Sequence, residues 1–111
     1  MYGDKEQMSV VLENILDNQI RYAENLIKIS LRKDNGANKD TLILKFWNDG
    51  PEINSEIIDN IFEKFKKGED GKHGLGLAIV RKIVNMHNGE IWAENEDDGV
   101  SFYIKFFISS P

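Results

Sequence analysis

The sequence has 111 residues, a formal net charge of -5, 41% hydrophobic side chains and no cysteine. This length fits one domain, and the hydrophobic fraction suffices for one core. The absence of cysteine excludes a disulfide scaffold, a thiolate zinc site and a cysteine nucleophile. The acidic balance argues against broad binding to nucleic acid or to an anionic membrane, and no apolar run approaches the roughly 20 residues of a membrane span.

The first predicted element is a helix over residues 4–25, where apolar residues recur at helical spacing without glycine or proline. Asn14, Asn18 and Arg21 are predicted to share its free face, with Tyr22 at the edge. A carboxamide oxygen is a hard neutral ligand that suits Mg²⁺, and an arginine one turn further can neutralise phosphate charge. Taken alone, these residues fit a solvated helix face better.

An antiparallel hairpin is predicted next, because residues 26–33 and 41–47 alternate and the residues between them favour a turn. The run Asn48-Asp49-Gly50-Pro51 then ends the second strand. A strand-end carboxamide or carboxylate before a glycine turn can read the edge of a base. Taken alone, an ordinary Asx turn is the better interpretation.

The second half of the chain is predicted to begin with a short helix over residues 55–65 and a polar loop over 66–73. A helix over residues 74–87 follows, capped by Asn88-Gly89. A final hairpin pairs a strand over residues 90–95 with one over 100–108.

Gly74 and Gly76 form a Gly-x-Gly pair at the predicted start of that third helix. The unpaired N–H groups of a helix start favour an anion, and glycine lets a phosphate approach the backbone closely. A plain junction between loop and helix is the alternative interpretation. The pair is neither a Walker motif nor the dinucleotide-binding fingerprint.

The order of these elements predicts an α/β (α+β) two-layer sandwich, with a mixed, mostly antiparallel sheet and helices on one face. A doubly wound nucleotide fold is disfavoured because no strand is followed by a crossover to a parallel neighbour.

Four segments in order carry a resemblance to a known family. Residues 13–23 resemble the N box, 48–53 the first glycine box, 61–65 the F box and 71–80 the second glycine box. The sequence thus resembles, over nearly its whole length, the ATP-binding catalytic domain of bacterial sensor histidine kinases. The resemblance implies the Bergerat ATP-binding fold, here without the family's N-terminal strand, in a piece of a longer kinase.

The resemblance also implies roles for single residues on the first helix. Asn18 would hold the Mg²⁺ that bridges the ATP phosphates, and Asn14 would lie beside those phosphates. Arg21 would contact phosphate, and Tyr22 would pack near the adenosine. Asn14, Asn18 and Arg21 would together support the transfer chemistry.

In the second half, the resemblance implies that residues 66–73 form an ATP lid whose start is anchored by Phe62 and Phe65. Gly74 and Gly76 would supply the lid hinge and the phosphate cradle. The remaining nucleotide contacts would come from Asn48, Gly50, Ile53, Lys72, Leu75 and Leu77.

Three positions depart from the family pattern. Asn48 stands where the family has an aspartate that reads adenine, and Glu52 replaces the second glycine of that box. Adenine binding is expected to survive but to weaken, since a lost charge-assisted hydrogen bond is worth on the order of 1 kcal/mol more than a neutral one. Gln19 replaces a small residue and is expected to crowd the helix packing.

One position separates a kinase from an ATPase. Bergerat ATPases carry a glutamate as base for the attacking water where this chain has Asn14, which cannot take a proton. Glu13 lies about 100° further round the helix and should point elsewhere. Phosphoryl transfer to an acceptor on another domain is therefore favoured over hydrolysis.

The expected partners are ATP, the dimerisation domain that carries the acceptor histidine and, indirectly, a response regulator. The chain is expected to be a cytoplasmic domain of a membrane-anchored kinase. By itself, this domain is expected only to bind ATP. Two alternatives remain: a nucleotide-binding module without phosphotransfer, and an anti-sigma-type serine kinase.

Overall fold

The computed structural model describes residues 5–35, 40–62 and 71–108, and of residues 35, 71–76 and 108 the backbone alone. Its elements, in chain order, are α1 (Lys5–Tyr22), β1 (Ile27–Asn35), β2 (Asp40–Asn48), a 3₁₀ turn (Ile58–Asn60), α2 (Gly71–Met86), β3 (Glu90–Glu96) and β4 (Gly99–Ile108). No helix among the described residues has the length and apolar character needed to cross a bilayer.

The four strands form one sheet in the order β1-β2-β4-β3. Each strand pairing in the described part of the chain is antiparallel. In this part of the chain, the expected mixed sheet is therefore corrected to an antiparallel sheet. Both predicted hairpins are confirmed, because alternating side chains and turn residues fix strand pairing locally. The α+β class is also confirmed.

The core lies between the sheet and the two helices. Phe46 on β2 is paired in register with Phe102 on β4, and both rings are buried against the helices. The buried apolar residues are Val11, Ile15, Phe46, Ile61, Phe62, Leu77, Val80, Ile83, Val84, Ala93, Val100, Phe102, Ile104 and Phe106.

The inward face of α1 differs from the predicted apolar stripe. Asn18 and Gln19 are buried together with Val11 and Ile15, whereas Ile20 is 69% exposed. The expectation that Asn18 lies on a free face is therefore wrong. Two amide side chains occupy inward positions that an apolar pattern assigns to hydrophobic residues.

The predicted helix over residues 55–65 is replaced, as far as residue 62, by turns around the 3₁₀ segment Ile58–Asn60. The Asn54 carbonyl accepts both the Ile57 and the Ile58 N–H at 3.0 Å, which tightens the chain into turns. Phe62 is buried and meets Phe102 edge to face, with ring centroids 5.8 Å apart. Phe65 and the lid residues as far as 70 lie outside the described residues.

The second long helix begins earlier than predicted. α2 starts at Gly71, so Gly74 and Gly76 lie within its first two turns instead of opening it. Its end matches the prediction: Asn88 has a φ of 60°, and the Gly89 N–H donates to the Val84 carbonyl at 2.9 Å. This is the left-handed termination in which a residue beyond the helix satisfies one of its last carbonyls.

The final hairpin turns on Asp97 and Asp98, whose φ angles are 53° and 59°. Two positive φ values indicate a type I′ turn, in which glycine costs less than aspartate. We expect Asp98→Gly to raise the free energy of unfolding by up to about 1 kcal/mol. Asp40→Gly, in a strand, should instead lower it by about 0.5–1 kcal/mol. Urea unfolding measures both, and a lower midpoint for Asp98→Gly would contradict this account of the turn.

Candidate functional site

The end of β2 and the end of α1 meet at Gly50. A Cβ placed there would overlap the Tyr22 carbonyl oxygen and would come within 2.8 Å of Asn48 Oδ1. Only glycine permits so close an approach of two backbones. Gly50 therefore joins the N-box residues of α1 to the first glycine box.

The Asp49 carboxylate fixes the segment that leads from α1 into β1. Its Oδ1 accepts the backbone N–H groups of Glu24, Asn25 and Leu26 at 2.9, 3.0 and 3.1 Å. These bonds take the chain out of the helix at Tyr22, three residues before the predicted end. The hydrogen bonds from the Asn25 and Leu26 N–H groups, with a further one from Glu24, lower the pKa of Asp49 from its ordinary 3.8.

Asp49 should make the stability of the chain depend on acid. Because its pKa is lower in the folded state, its contribution is fully present above 3.8 and is lost as the pH falls through the folded pKa. We expect Asp49→Asn to lower the urea midpoint at pH 7 and to flatten the fall of stability in acid. The exposed Asp59→Asn is the control, and an unchanged acid profile in Asp49→Asn would contradict this role.

Asn14, Asn18 and Arg21 differ in their surroundings. Asn14 is half-buried, and its Nδ2 donates to the Val10 carbonyl one turn earlier at 2.8 Å. Asn18 is 9% exposed, and its Oδ1 is buried without a hydrogen-bond donor within the described part of the chain. Arg21 is exposed, as is Glu13, which sequence reasoning placed away from the site.

Asn48 and Gln19 form a buried hydrogen-bonded pair. The Asn48 Nδ2 donates to Gln19 Oε1 at 3.0 Å, and the Gly50 N–H donates to Asn48 Oδ1 at 2.8 Å. Gln19, which was expected to crowd the packing, is fully buried in this arrangement. The feature of the sequence that could have predicted this buried pair is an amide side chain at an inward position of the helix.

Ile53 is held by a residue that the sequence interpretation missed. The Asn95 Oδ1 accepts the Ile53 N–H at 2.9 Å, and its Nδ2 donates to the Ile53 carbonyl at 2.8 Å. One carboxamide thus satisfies both backbone groups and fixes the segment after Gly50 against β3. The only sequence signal was a polar residue at an inward strand position.

The second glycine box is described in part. Lys72, Gly74, Leu75 and Gly76 lie on α2, where the backbone alone is described. Leu77 is buried in the core, so its side chain helps to attach α2 to the sheet. His87, just beyond the end of α2, is half-buried, and its ring Nδ1 lies 2.8 Å from the Ile83 carbonyl.

A separate hollow of about 290 Å³ lies between the 3₁₀ turn, α2 and β3. Its lining includes Asp59, Arg81, Asn85, Glu90 and Trp92, and none of the residues of the α1–β2 site described above.

Asn18 has the chemistry of a magnesium ligand. A buried amide oxygen without a donor is costly unless another partner satisfies it, and Mg²⁺ prefers oxygen ligands. Among the described residues, no three His, Cys, Asp or Glu side chains gather to hold a metal. The residues present therefore fit an ion held by one or two protein oxygens together with phosphate oxygens.

The family follows from the sequence as a whole. Residues 3–110 match the family model for histidine kinase-, DNA gyrase B- and HSP90-like ATPases. The chain belongs to this family. Its fold is that of a histidine kinase catalytic domain: the catalytic domain of histidine kinase ThkA superposes with a TM-score of 0.77 at 33% identity, covering 95% of this chain and 69% of that one.

Two similar proteins are sensor kinases. The sensor histidine kinase CssS of Bacillus subtilis is 43% identical over 104 residues, which is 94% of this chain and 22% of CssS. The sensory histidine kinase/phosphatase NtrB of Rhodobacter capsulatus is 34% identical over 118 residues, covering 96% of this chain and 33% of NtrB. The chain thus spans a fifth to a third of the length of these relatives.

Proposed function

We propose that the chain is the ATP-binding catalytic domain of a two-component sensor histidine kinase. It binds Mg-ATP and positions the γ-phosphoryl group for transfer to a histidine on a separate dimerisation domain. The observation that carries this proposal is the buried Oδ1 of Asn18, which has no hydrogen-bond donor among the described residues. It lies near the end of α1, which Gly50 joins to the first glycine box. Membership of the ATPase family and the likeness to sensor kinases support it.

The α1 residues act on the phosphates. Asn18 would hold Mg²⁺ through Oδ1, and the bound ion would neutralise charge on the phosphate oxygens. Asn14 lies one turn before Asn18 and contacts the phosphates. The exposed Arg21 supplies a guanidinium group that can pair with a phosphate, and Tyr22 packs near the adenosine.

The remaining contacts come from the two glycine boxes. Asn48 reads the base, Gly50 allows the close approach of α1, and Ile53 packs beside the nucleotide. In the second box, Gly74 and Gly76 bring backbone N–H groups to the phosphates. Lys72, Leu75 and Leu77 complete the proposed set of contacts.

Transfer is favoured over hydrolysis because an amide stands at the position of the water-activating base. Asn14 occupies the position of the base in the family's ATPases and cannot accept a proton. The neighbouring Glu13 is exposed. Phosphoryl transfer needs little covalent help from the protein, so positioning and charge neutralisation by Asn18 and Arg21 are enough once an acceptor is supplied.

The partners follow from this chemistry. The acceptor is the dimerisation domain of the same kinase, and a response regulator receives the phosphoryl group afterwards. The domain works in the cytoplasm as part of a membrane-anchored kinase, and alone it binds ATP without turnover.

The test supplies the dimerisation domain of the same kinase together with Mg-ATP labelled at the γ-phosphate. We expect acid-labile phosphohistidine on that domain, and none with Asn18→Ala. ATP binding without any transfer would instead support a module that lacks phosphotransfer. Acid-stable phosphoserine on a partner would support a serine kinase. Either result would overturn the proposal.

A further inference from the structure

A short series of hydrogen bonds with fixed polarity leads from the first glycine box into α1. The Gly50 N–H can only donate, so the atom of Asn48 that faces it must be Oδ1. The Nδ2 of Asn48 therefore faces Gln19, which must present Oε1 in return. Because a backbone donor starts the series, the orientation of both amides follows from chemistry and needs no choice between similar atoms.

The series ends on an unused donor. Gln19 is fully buried, and its Nε2 has no acceptor within the described ranges. Burying an unpaired amide N–H is costly, so such groups seldom persist without a partner. Within the same ranges, the preceding residue, Asn18, leaves an unpaired acceptor instead. A cation satisfies the acceptor of Asn18, but only a group with a lone pair satisfies Gln19.

The edge of a purine base supplies such a group. In adenine, the exocyclic amine donates and the adjacent ring nitrogen N1 accepts. A carboxylate offers acceptors alone, whereas the pair in this chain offers a lone pair on Asn48 Oδ1 and an N–H on Gln19 Nε2. In hydrogen-bonding polarity, the pair therefore matches both groups on the adenine edge.

We propose that Gln19 is a specificity-determining residue, whose Nε2 donates to a lone-pair acceptor on the edge of the bound purine base while Asn48 Oδ1 accepts from the neighbouring N–H. The inference rests on the proposed function, because it requires a nucleotide in the site. Asn48 stands where the family pattern has an aspartate. Gln19 then supplies the N–H donor that a pocket with a carboxylate alone would lack.

The guanine edge extends the inference. Guanine presents the O6 acceptor where adenine has its amine, and the N1 donor where adenine has an acceptor. Both groups would therefore face the two amides with the wrong polarity. We expect the unmutated chain to bind Mg-ATP about tenfold or more tightly than Mg-GTP.

The direct test compares Mg-ATP with Mg-1-deaza-ATP, in which a C–H replaces N1, by calorimetry on the full chain. We expect the unmutated chain to bind ATP about tenfold more tightly, the worth of one hydrogen bond. Gln19→Ala should bind both nucleotides equally, whereas Ile20→Ala, an exposed neighbour, should keep the difference. A purely structural role for Gln19 would weaken both nucleotides by the same factor.

Equal binding of the two nucleotides by the unmutated chain would overturn the inference while leaving ATP binding intact. This comparison needs no variant, so it decides the matter even if Gln19→Ala does not fold. No binding of ATP at all would contradict the proposed function, and the inference with it.

Discussion

Replacing Gly50 with alanine is expected to destabilise the chain by about 3 kcal/mol and to abolish Mg-ATP binding. The added Cβ would overlap the Tyr22 carbonyl oxygen and would lie 2.8 Å from the Tyr22 carbonyl carbon and from Asn48 Oδ1. Backbone atoms cannot rotate away as a side chain can. The end of α1 would therefore separate from the end of β2, and the site would lose the relation between its two halves.

Urea unfolding followed by circular dichroism measures the loss of stability, and calorimetry with Mg-ATP measures the loss of binding. Pro51→Ala is the matched control because Pro51 is the next residue and its side chain is exposed. It should change the free energy of unfolding by less than about 0.5 kcal/mol. A stable Gly50→Ala variant with unchanged affinity would show that the close approach at this position is dispensable.

The second large effect is expected at Asn18, where a substitution should lower the affinity for Mg-ATP without lowering the stability of the fold. Asn18→Ala is expected to lower Mg-ATP affinity on the order of 100-fold, the upper range for a bond to a charged group. It should leave the free energy of unfolding unchanged or slightly raised, because the buried Oδ1 has no donor to lose among the described residues. Asn48→Ala should behave differently: it breaks two hydrogen bonds and should destabilise the chain by about 1–3 kcal/mol.

Thermal unfolding without nucleotide and calorimetry with Mg-ATP give the two quantities for each variant. Asp17→Ala, an exposed neighbour on the same helix, controls for the change in helix composition. If Asn18→Ala unfolds as readily as Asn48→Ala, the Asn18 side chain is a structural residue. Full affinity in a folded Asn18→Ala would remove it from the magnesium site.

Local patterns were enough for the two hairpins and for the existence of the two long helices. Both hairpins alternate and carry strong turn residues, and the Asn88-Gly89 termination has a local cause. The four boxes in order were enough for the family. Such features depend on residues close together in the chain, which a single sequence displays.

The sequence interpretation failed where a distant partner decides the structure. Asp49 ends α1 by accepting N–H groups more than 20 residues earlier, and Asn95 fixes Ile53 from 42 residues away. The inward position of Asn18 breaks the apolar pattern of α1, so periodicity placed this residue on the wrong face. Polar residues at buried positions are found from a sequence only once their partners are known.

Buried polar side chains also distinguish the candidate site from the rest of the core. The buried amides of Asn18, Gln19 and Asn48 lie in a largely apolar interior. Within the described part of the chain, the first two leave unpaired atoms of opposite character. Departures of this kind from core patterning are expected where a ligand, and not the fold, uses the side chain.

The central claim is that a nucleotide binds where α1 meets the end of β2. A titration of the ¹⁵N-labelled chain with ATP, with and without Mg²⁺, tests it most directly, because NMR detects the side-chain amides of Asn18 and Gln19 and the backbone amide of Gly50. We predict that Mg-ATP shifts all three signals, and that the Asn18 amide responds least when Mg²⁺ is withheld. Shifts confined to the hollow that includes Arg81 and Trp92, or no shifts at all, would contradict the account.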